Sequence, residues 1–434
     1  MNQLHSRGGP FSALADDMAE NSGVCSAKID IAIVVYGYGL GNSPSLINMS
    51  KALSKFGFCV DFFIYNTYLG NIHFNDPSIR IYNKEISESV APGLLQKFVC
   101  GTRYLLKTLL RILPTPVRIA HEEKALREAV QRYVISITSI LSQKKYAYFI
   151  GVEPLGMMAA SALGARFNTP FIYYNMELHS CPDIISVSEW AIKNIERSVH
   201  SKALFTITQD EKRARIMARE NEVAIDTFVT IPVCADGEPF RENPNFLRQR
   251  LGISSDKTIV LYAGFLADWA LCRELAEAAQ SWPDNYVLVL HSHGYHDAEY
   301  VQKLRRYEGD KVRFSDIPVD YEDLSALLAS ADIGIALYRD LGTNFTLIGS
   351  ASGKLAHYLK SGLPVVVNDY PDISGKVEMY NCGVWVKAVG DVGDALVYIS
   401  RDYAKMRAGA FHCYEREFRF SRHFQKVLKR MGVT

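Results

Sequence analysis

The chain has 434 residues, 48% of them apolar, with 48 Lys and Arg against 47 Asp and Glu, a formal net charge of +1. That length accommodates two domains with separate cores, and the charge balance argues against a dedicated nucleic-acid binder, which carries a basic excess. Eight scattered cysteines, with no C-x-x-C pair and no His/Cys cluster at zinc-ligand spacing, read as free thiols in a reducing compartment.

Residues 1–27 are polar, with Gly8-Gly9-Pro10 and acidic residues where a secretory segment would be apolar. They are expected to form a disordered tail. No apolar run reaches the roughly 18 residues of a membrane-spanning helix, so the expected location is cytoplasmic. From residue 28 onward apolar runs alternate with helical patterns, the signature of parallel α/β sheets. The first strand, Ile29–Tyr36, runs into Gly37-Tyr38-Gly39-Leu40-Gly41-Asn42, followed by a helix and a second strand, Phe58–Tyr65. The glycines resemble a dinucleotide fingerprint, but its third glycine falls on Asn42, and Asn66 stands where an acid would follow the second strand. Gly37, Gly39, Gly41 and Asn42 are therefore read as a loop through which substrate or phosphate approaches the backbone, with plain turn geometry as the alternative.

Ser89 to His121 contains no Asp or Glu. Within it Lys97, Arg103, Lys107 and Arg111 oppose Leu105, Leu106, Leu109, Leu110 and Leu113. A basic amphipathic segment over 96–118 suits an anionic membrane surface at the inner face of the membrane; a solvated basic face over a core contact explains it equally. Further strands, Tyr146–Ile150, Phe171–Tyr174 and Ala203–Thr208, each end in polar residues. The first is followed by Glu153, the second by Asn175-Met176-Glu177-Leu178-His179, the third by Gln209. A carboxylate and an imidazole at a strand's carboxyl end can position an acceptor hydroxyl or take its proton, so Glu177 and His179 are catalytic candidates. Glu153 and Gln209 are cleft candidates. Ion pairing and helix capping are the plainer explanations.

Thr230 to Gly237 reads as an interdomain crossing because Pro232 and Gly237 punctuate an apolar run. The first domain is then 28–235 and the second 236–410, with a helix over 411–434 returning to the first. In the second domain the alternation restarts at Lys257–Ala263, and Gly264-Phe-Leu-Ala-Asp268-Trp269 opens its first helix. His291-Ser-His293-Gly294-Tyr295-His296 lacks an acidic companion, and the chain has no Asp-x-Asp triplet, so no metal is expected. His293 and Gly294 are read as a loop near a nucleotide. Ser350-Ala-Ser352-Gly353-Lys354-Leu-Ala-His357 is a small polar turn entering a helix. Such a start offers unpaired N–H groups and the positive end of the helix dipole, a holder for phosphate to which Lys354 adds a full charge.

Ser352-Gly-Lys354-Leu-x-x-Tyr358-Leu-x-x-Gly362-Leu-Pro364-Val-Val, preceded by Leu324-x-x-Leu-Leu-x-x-Ala331-Asp332-Ile-Gly-Ile-Ala and by Leu261-Tyr-Ala-Gly264, resembles the GT-B glycosyltransferases, in particular the group 1, family 4-like enzymes. The resemblance implies an α/β fold of two Rossmann-like, doubly wound domains facing across a cleft. It implies a metal-independent enzyme with no cofactor beyond its UDP- or GDP-type nucleotide-sugar donor, and retention of configuration. Ser350, Ser352, Gly353 and Lys354 would hold the diphosphate, with Gly264 and His357 beside the donor. Two glutamates usual in the family are replaced by Gly349 and His357, and the cation expected after Gly264 is missing, Arg273 being the nearest. The expected reaction is transfer of a sugar to a hydroxyl of a cell-envelope, capsular or exopolysaccharide glycan precursor, free or lipid-linked. A sugar-nucleotide epimerase of the same shape and an inactive scaffold remain as alternatives.

Overall fold

A computed structural model describes residues 29–37, 43–65, 74–84, 114–292 and 297–433. The expected tail and the basic residues Lys97, Arg103, Lys107 and Arg111 lie outside them.

The first sheet has seven parallel strands: β1 (Ile29–Tyr36), β2 (Phe58–Tyr65), β3 (Ile79–Lys84), β4 (Tyr146–Val152), β5 (Phe171–Tyr174), β6 (Thr206–Thr208) and β7 (Phe228–Thr230), in the spatial order 3-2-1-4-5-6-7. The second has six: β8 (Thr258–Ala263), β9 (Tyr286–His291), β10 (Val312–Ser315), β11 (Ile333–Ala336), β12 (Val365–Asn368) and β13 (Gly383–Val386), in the order 10-9-8-11-12-13. The central strands are buried on both faces, which is why they read as continuous apolar runs rather than alternating ones. Asp61 is the exception inside β2. It is fully buried and takes hydrogen bonds from Arg80 Nε (2.6 Å), Lys144 Nζ (2.8 Å) and Tyr146 Oη (2.7 Å). These partners meet the cost of burying a carboxylate.

Helices cover both faces of each sheet. Pro44–Lys55 starts with Ser43 as N-cap and Pro44 in its first turn, and Val187–His200 starts with a Ser186/Glu189 capping box. Glu153–Phe167 lies against the switch point of the first sheet. A Cβ on Gly156 would stand 2.7 Å from the Val34 carbonyl oxygen, so only glycine permits that approach. Among the described residues no helix is long and apolar enough to cross a membrane.

The C-terminal region differs from the single helix expected. Two helices, Tyr403–Cys413 and Phe420–Arg430, are joined by a π turn over Tyr414–Phe418. Cys413, Tyr414 and Phe418 pack in the core of the second domain, and Tyr414 Oη donates to the Gly237 carbonyl at 2.7 Å. From Phe420 onward the apolar side chains Phe424, Val427, Leu428 and Met431 join the first domain's core. The change of core breaks the helix: at Arg419 the chain forms a parallel bridge with Ala235. The two crossings between domains therefore run side by side. Strands β3 and β7 were not anticipated. Both are short edge strands of mixed composition, Ile-Arg-Ile-Tyr-Asn-Lys and Phe-Val-Thr.

Candidate active site

In open α/β sheets ligands bind beyond the carboxyl ends of the strands, where the order reverses. Here those reversals lie between β1 and β4 and between β8 and β11. Between the domains at this level lies a cavity of about 510 Å³. The first domain contributes Ser43, Pro44, Ser45, Met176 and Glu177. The second contributes Gly264, Trp269, Tyr321, Tyr338, Asn344, Ser352, Gly353, Lys354 and His357, among others.

The Gly353–Lys360 helix points its start into this space. Ser352 is its N-cap, accepting from Leu355 N at 3.2 Å, and its hydroxyl is 2.6 Å from Tyr338 Oη. By helix geometry the amides of Gly353 and Lys354 have no acceptor within the helix. Lys354 Nζ is buried without a hydrogen-bond partner among the described residues. It lies 3.7 Å from the Tyr262 ring centroid and 5.3 Å from that of Tyr338, held by cation–π attraction alone. Desolvation lowers its pKa to about 7, with only Cys272 acting against the shift. Gly264, at φ +147°, gives this ammonium its room, since a Cβ there would meet Lys354 Cε at 3.3 Å.

His357 occupies another part of the wall. Burial lowers its pKa to about 3, so the ring is neutral at pH 7. Its Nε2 is 3.5 Å from Tyr321 Oη, which also reaches Asn48 Oδ1 of the first domain at 3.4 Å.

Across the cavity Glu177 is open to the cleft yet enclosed by protein on most sides. Desolvation first, then the nearby Glu153, raise its pKa, opposed by Asn344, Arg213 and His179. Its Oε2 accepts from Asn344 Nδ2 at 2.8 Å. The loop carrying Glu177 is fixed from below. Glu153 turns the chain at the end of β4 with φ +59° and accepts from Met176 N (2.6 Å) and Glu177 N (3.2 Å). Gln209 Nε2 donates to the Asn175 carbonyl at 2.7 Å.

Of the residues singled out from sequence, Glu177, Gly264, Ser352, Gly353, Lys354 and His357 line one cavity. The geometry moves others out of its wall. Ser350 donates its amide to Asp372 Oδ2 (2.9 Å), accepts on its hydroxyl from Lys376 (3.2 Å) and gives its carbonyl to Val233 N (2.8 Å), which ties the domains together. Glu153 and Gln209 support the loop rather than face the cavity. His179 Nε2 lies 3.7 Å from Glu153 Oε2, and this carboxylate raises the imidazole pKa against the burial that lowers it. Gly37 is outside the lining. Gly39, Gly41, Asn42, His293 and Gly294 lie outside the described residues. Sequence reasoning missed Tyr262, Tyr321, Tyr338, Asn344 and Arg213. Asn344 lies between β11 and the Gly353–Lys360 helix, a position just past a strand's carboxyl end, whereas nothing in the sequence separates Arg213 from its neighbours Arg215 and Arg219. Among the described residues no group of three His, Cys, Asp or Glu side chains is placed to hold a metal ion.

The chain is similar in structure to sucrose-phosphate synthase from Thermosynechococcus elongatus, at 17% identity over 93% of this chain and 98% of that one, with a TM-score of 0.65. It is also similar to Anabaena HepE in complex with UDP-glucose (13% identity, 94% and 100% covered, TM-score 0.63). A third is an α,α-trehalose-phosphate synthase (UDP-forming) from Burkholderia vietnamiensis (10% identity, 94% and 100% covered, TM-score 0.60). No protein-family model and no curated protein matches the chain. The shared property is the fold: two facing Rossmann-like sheets in the GT-B arrangement.

Proposed function

We propose that this protein is a glycosyltransferase that moves a sugar from a nucleotide-sugar donor to an acceptor hydroxyl. One observation carries the reading: the Lys354 amine, with no hydrogen-bond partner and no salt bridge among the described residues, is buried at the start of a helix in the wall of an interdomain cavity. Burying an unpaired charge is costly, and an anionic ligand removes that cost. A diphosphate between the Gly353 and Lys354 amides and the Lys354 ammonium supplies the missing charge. The structural likeness to HepE in complex with UDP-glucose favours a UDP-type donor.

As the bond from the anomeric carbon to the phosphate oxygen breaks, negative charge grows on the leaving diphosphate. Fixed dipoles and an ammonium placed there stabilise the transition state more than the ground state. In the retaining course we favour, the departing phosphate oxygen takes the acceptor's proton as the new bond forms on the same face. Glu177 accepts a hydrogen bond from the acceptor hydroxyl and orients it, and His179 helps hold the loop through Glu153. Charge neutralisation rests on the chain's own groups, so turnover is expected to persist in EDTA. The acceptor we favour is a cell-envelope, capsular or exopolysaccharide glycan precursor, a reading that rests on the family resemblance. The acid-free basic stretch 89–121 motivates action at a cytoplasmic membrane surface, and flotation with anionic liposomes tests that part.

The deciding experiment screens UDP-, GDP-, ADP- and CMP-sugars by thermal shift, because a ligand of the native state raises the midpoint. Mass spectrometry of donor–acceptor mixtures follows. A midpoint unmoved by every donor overturns the proposal. Conversion of the donor with no acceptor present assigns an epimerase instead.

A further inference from the structure

We infer that Asn344 of the second domain is the positioning residue for the Glu177 carboxylate of the first, and that Arg213 locks it there, so that the acceptor side of the site is complete only while the domains are closed. The inference rests on the reading that Glu177 addresses the acceptor.

The short helix Thr343–Thr346 leaves its own domain and docks on the other. Thr343 N donates to Asp183 Oδ2 at 2.7 Å, and Gly342 packs so tightly that a Cβ would lie 2.7 Å from Asp183 Cγ. The Asn344 side chain then makes three bonds into the first domain. Its Oδ1 accepts from Arg213 Nη1 (2.7 Å) and Leu178 N (3.0 Å), and its Nδ2 donates to Glu177 Oε2 (2.8 Å). Guanidinium and backbone N–H groups are donors only, and an ionised carboxylate only accepts. The amide therefore has a single orientation that satisfies all three partners, with its NH₂ toward Glu177.

Arg213 cannot swing away. It is fully buried, and its Nη2 also donates to the carbonyls of Asn344 (2.8 Å) and Leu347 (3.0 Å). One amide thus fixes both the backbone at Leu178 and the carboxylate beside it. Among the described residues Glu177 Oε1 has no hydrogen-bond partner, which leaves it for a ligand hydroxyl. The charged groups around Glu177 are Glu153, which raises its pKa, and Arg213 and His179, which lower it. Opening the cleft removes Asn344, and with it a hydrogen bond to the ionised carboxylate, while Glu153, Arg213 and His179 stay beside Glu177 in the first domain.

Asn344→Asp tests this. The substitution keeps an oxygen toward Arg213 and Leu178 but turns a second carboxylate oxygen toward Glu177. The expected result is an upward shift of about one pH unit or more in the acid limb of kcat/KM. The Glu177 pKa is read independently of activity by carbon-13 NMR of labelled glutamates, the Glu177 signal being the one lost in Glu177→Gln. It should move up by a similar amount. If Asn344→Asp does not fold, Asn344→Ser, too short to reach Glu177, should raise the same titration by removing a hydrogen bond to the ionised form. An unmoved Glu177 titration in a folded variant overturns the inference, whether or not the enzyme turns over. A moved titration with no sugar transfer by the native chain supports the Asn344–Glu177 coupling and counts against the activity reading instead.

Discussion

Two cations are buried at the junction of the domains, and they are treated oppositely. Arg213 makes close hydrogen bonds to Asn344 Oδ1, Asn344 O and Leu347 O and lies 3.4 Å from Asp210 Oδ2. Lys354 has two tyrosine faces and no hydrogen-bond partner among the described residues. The first arrangement is complete and holds the domains together. The second is stable only at a cost, and that cost marks the place where a ligand's charge belongs. Burial alone does not separate a structural charge from a functional one; the count of satisfied bonds does.

The largest effect is expected from Lys354→Met. Turnover should fall about 10²–10³-fold, the scale for losing one preorganised charge-stabilising group, while the ligand-free protein melts at a higher temperature at pH 7. The unfolded chain keeps this amine's proton up to about 10.5, the folded cavity only to about 7. Between those values the unfolded state binds more protons, so ligand-free stability rises with pH across the window. The substitution should flatten that rise. A lower melting temperature in Lys354→Met would mean that the ammonium is structural, as Arg213 is.

Arg213→Met should act in the opposite sense on stability, with a loss of about 3–5 kcal/mol measured by urea unfolding, because it strands Asp210 and three carbonyl-type acceptors. An unchanged midpoint would erase the distinction between the two sites. A subtler effect sharpens the Lys354 side. Binding UDP above pH 7 should take up a proton, since an anion raises the amine's pKa, and affinity should weaken as pH rises through the bound-state value. Calorimetry in two buffers of different ionisation enthalpy measures this, and binding without proton uptake at pH 8 would place the diphosphate elsewhere. The smallest effect is expected from Gly264→Ala. Its positive φ strains any side chain, so urea unfolding should show a loss of roughly 1 kcal/mol in ligand-free stability, and an unchanged midpoint would mean the turn relaxes freely.

Much of the architecture was legible because parallel strands buried on both faces leave uninterrupted apolar runs, as in Ile29–Tyr36 and Tyr286–His291. β3 and β7 escaped because edge strands need bury less and carry mixed residues. The break at Arg419 escaped because Cys413, Phe418 and Phe424 look alike in sequence while belonging to different cores. In the site, Glu177, Gly264, Ser352 and Lys354 were legible as residues that follow strands or start helices. Ser350, Glu153 and Gln209 follow the same rule, yet they serve as supports, since position along the chain does not say which way a side chain turns.

The sequence alone determined that this protein has two parallel sheets, and that a small polar turn with a lysine enters a helix after β11. These are consequences of periodicity and backbone chemistry within a few residues. Only the tertiary structure decided that Arg213 is spent on Asn344 and Leu347, that Lys354 is left facing aromatic rings, and that Glu177 takes its orientation from the opposite domain. Those outcomes depend on which donors and acceptors meet across more than a hundred residues of chain, and on how much water is excluded where they meet. No local pattern encodes either.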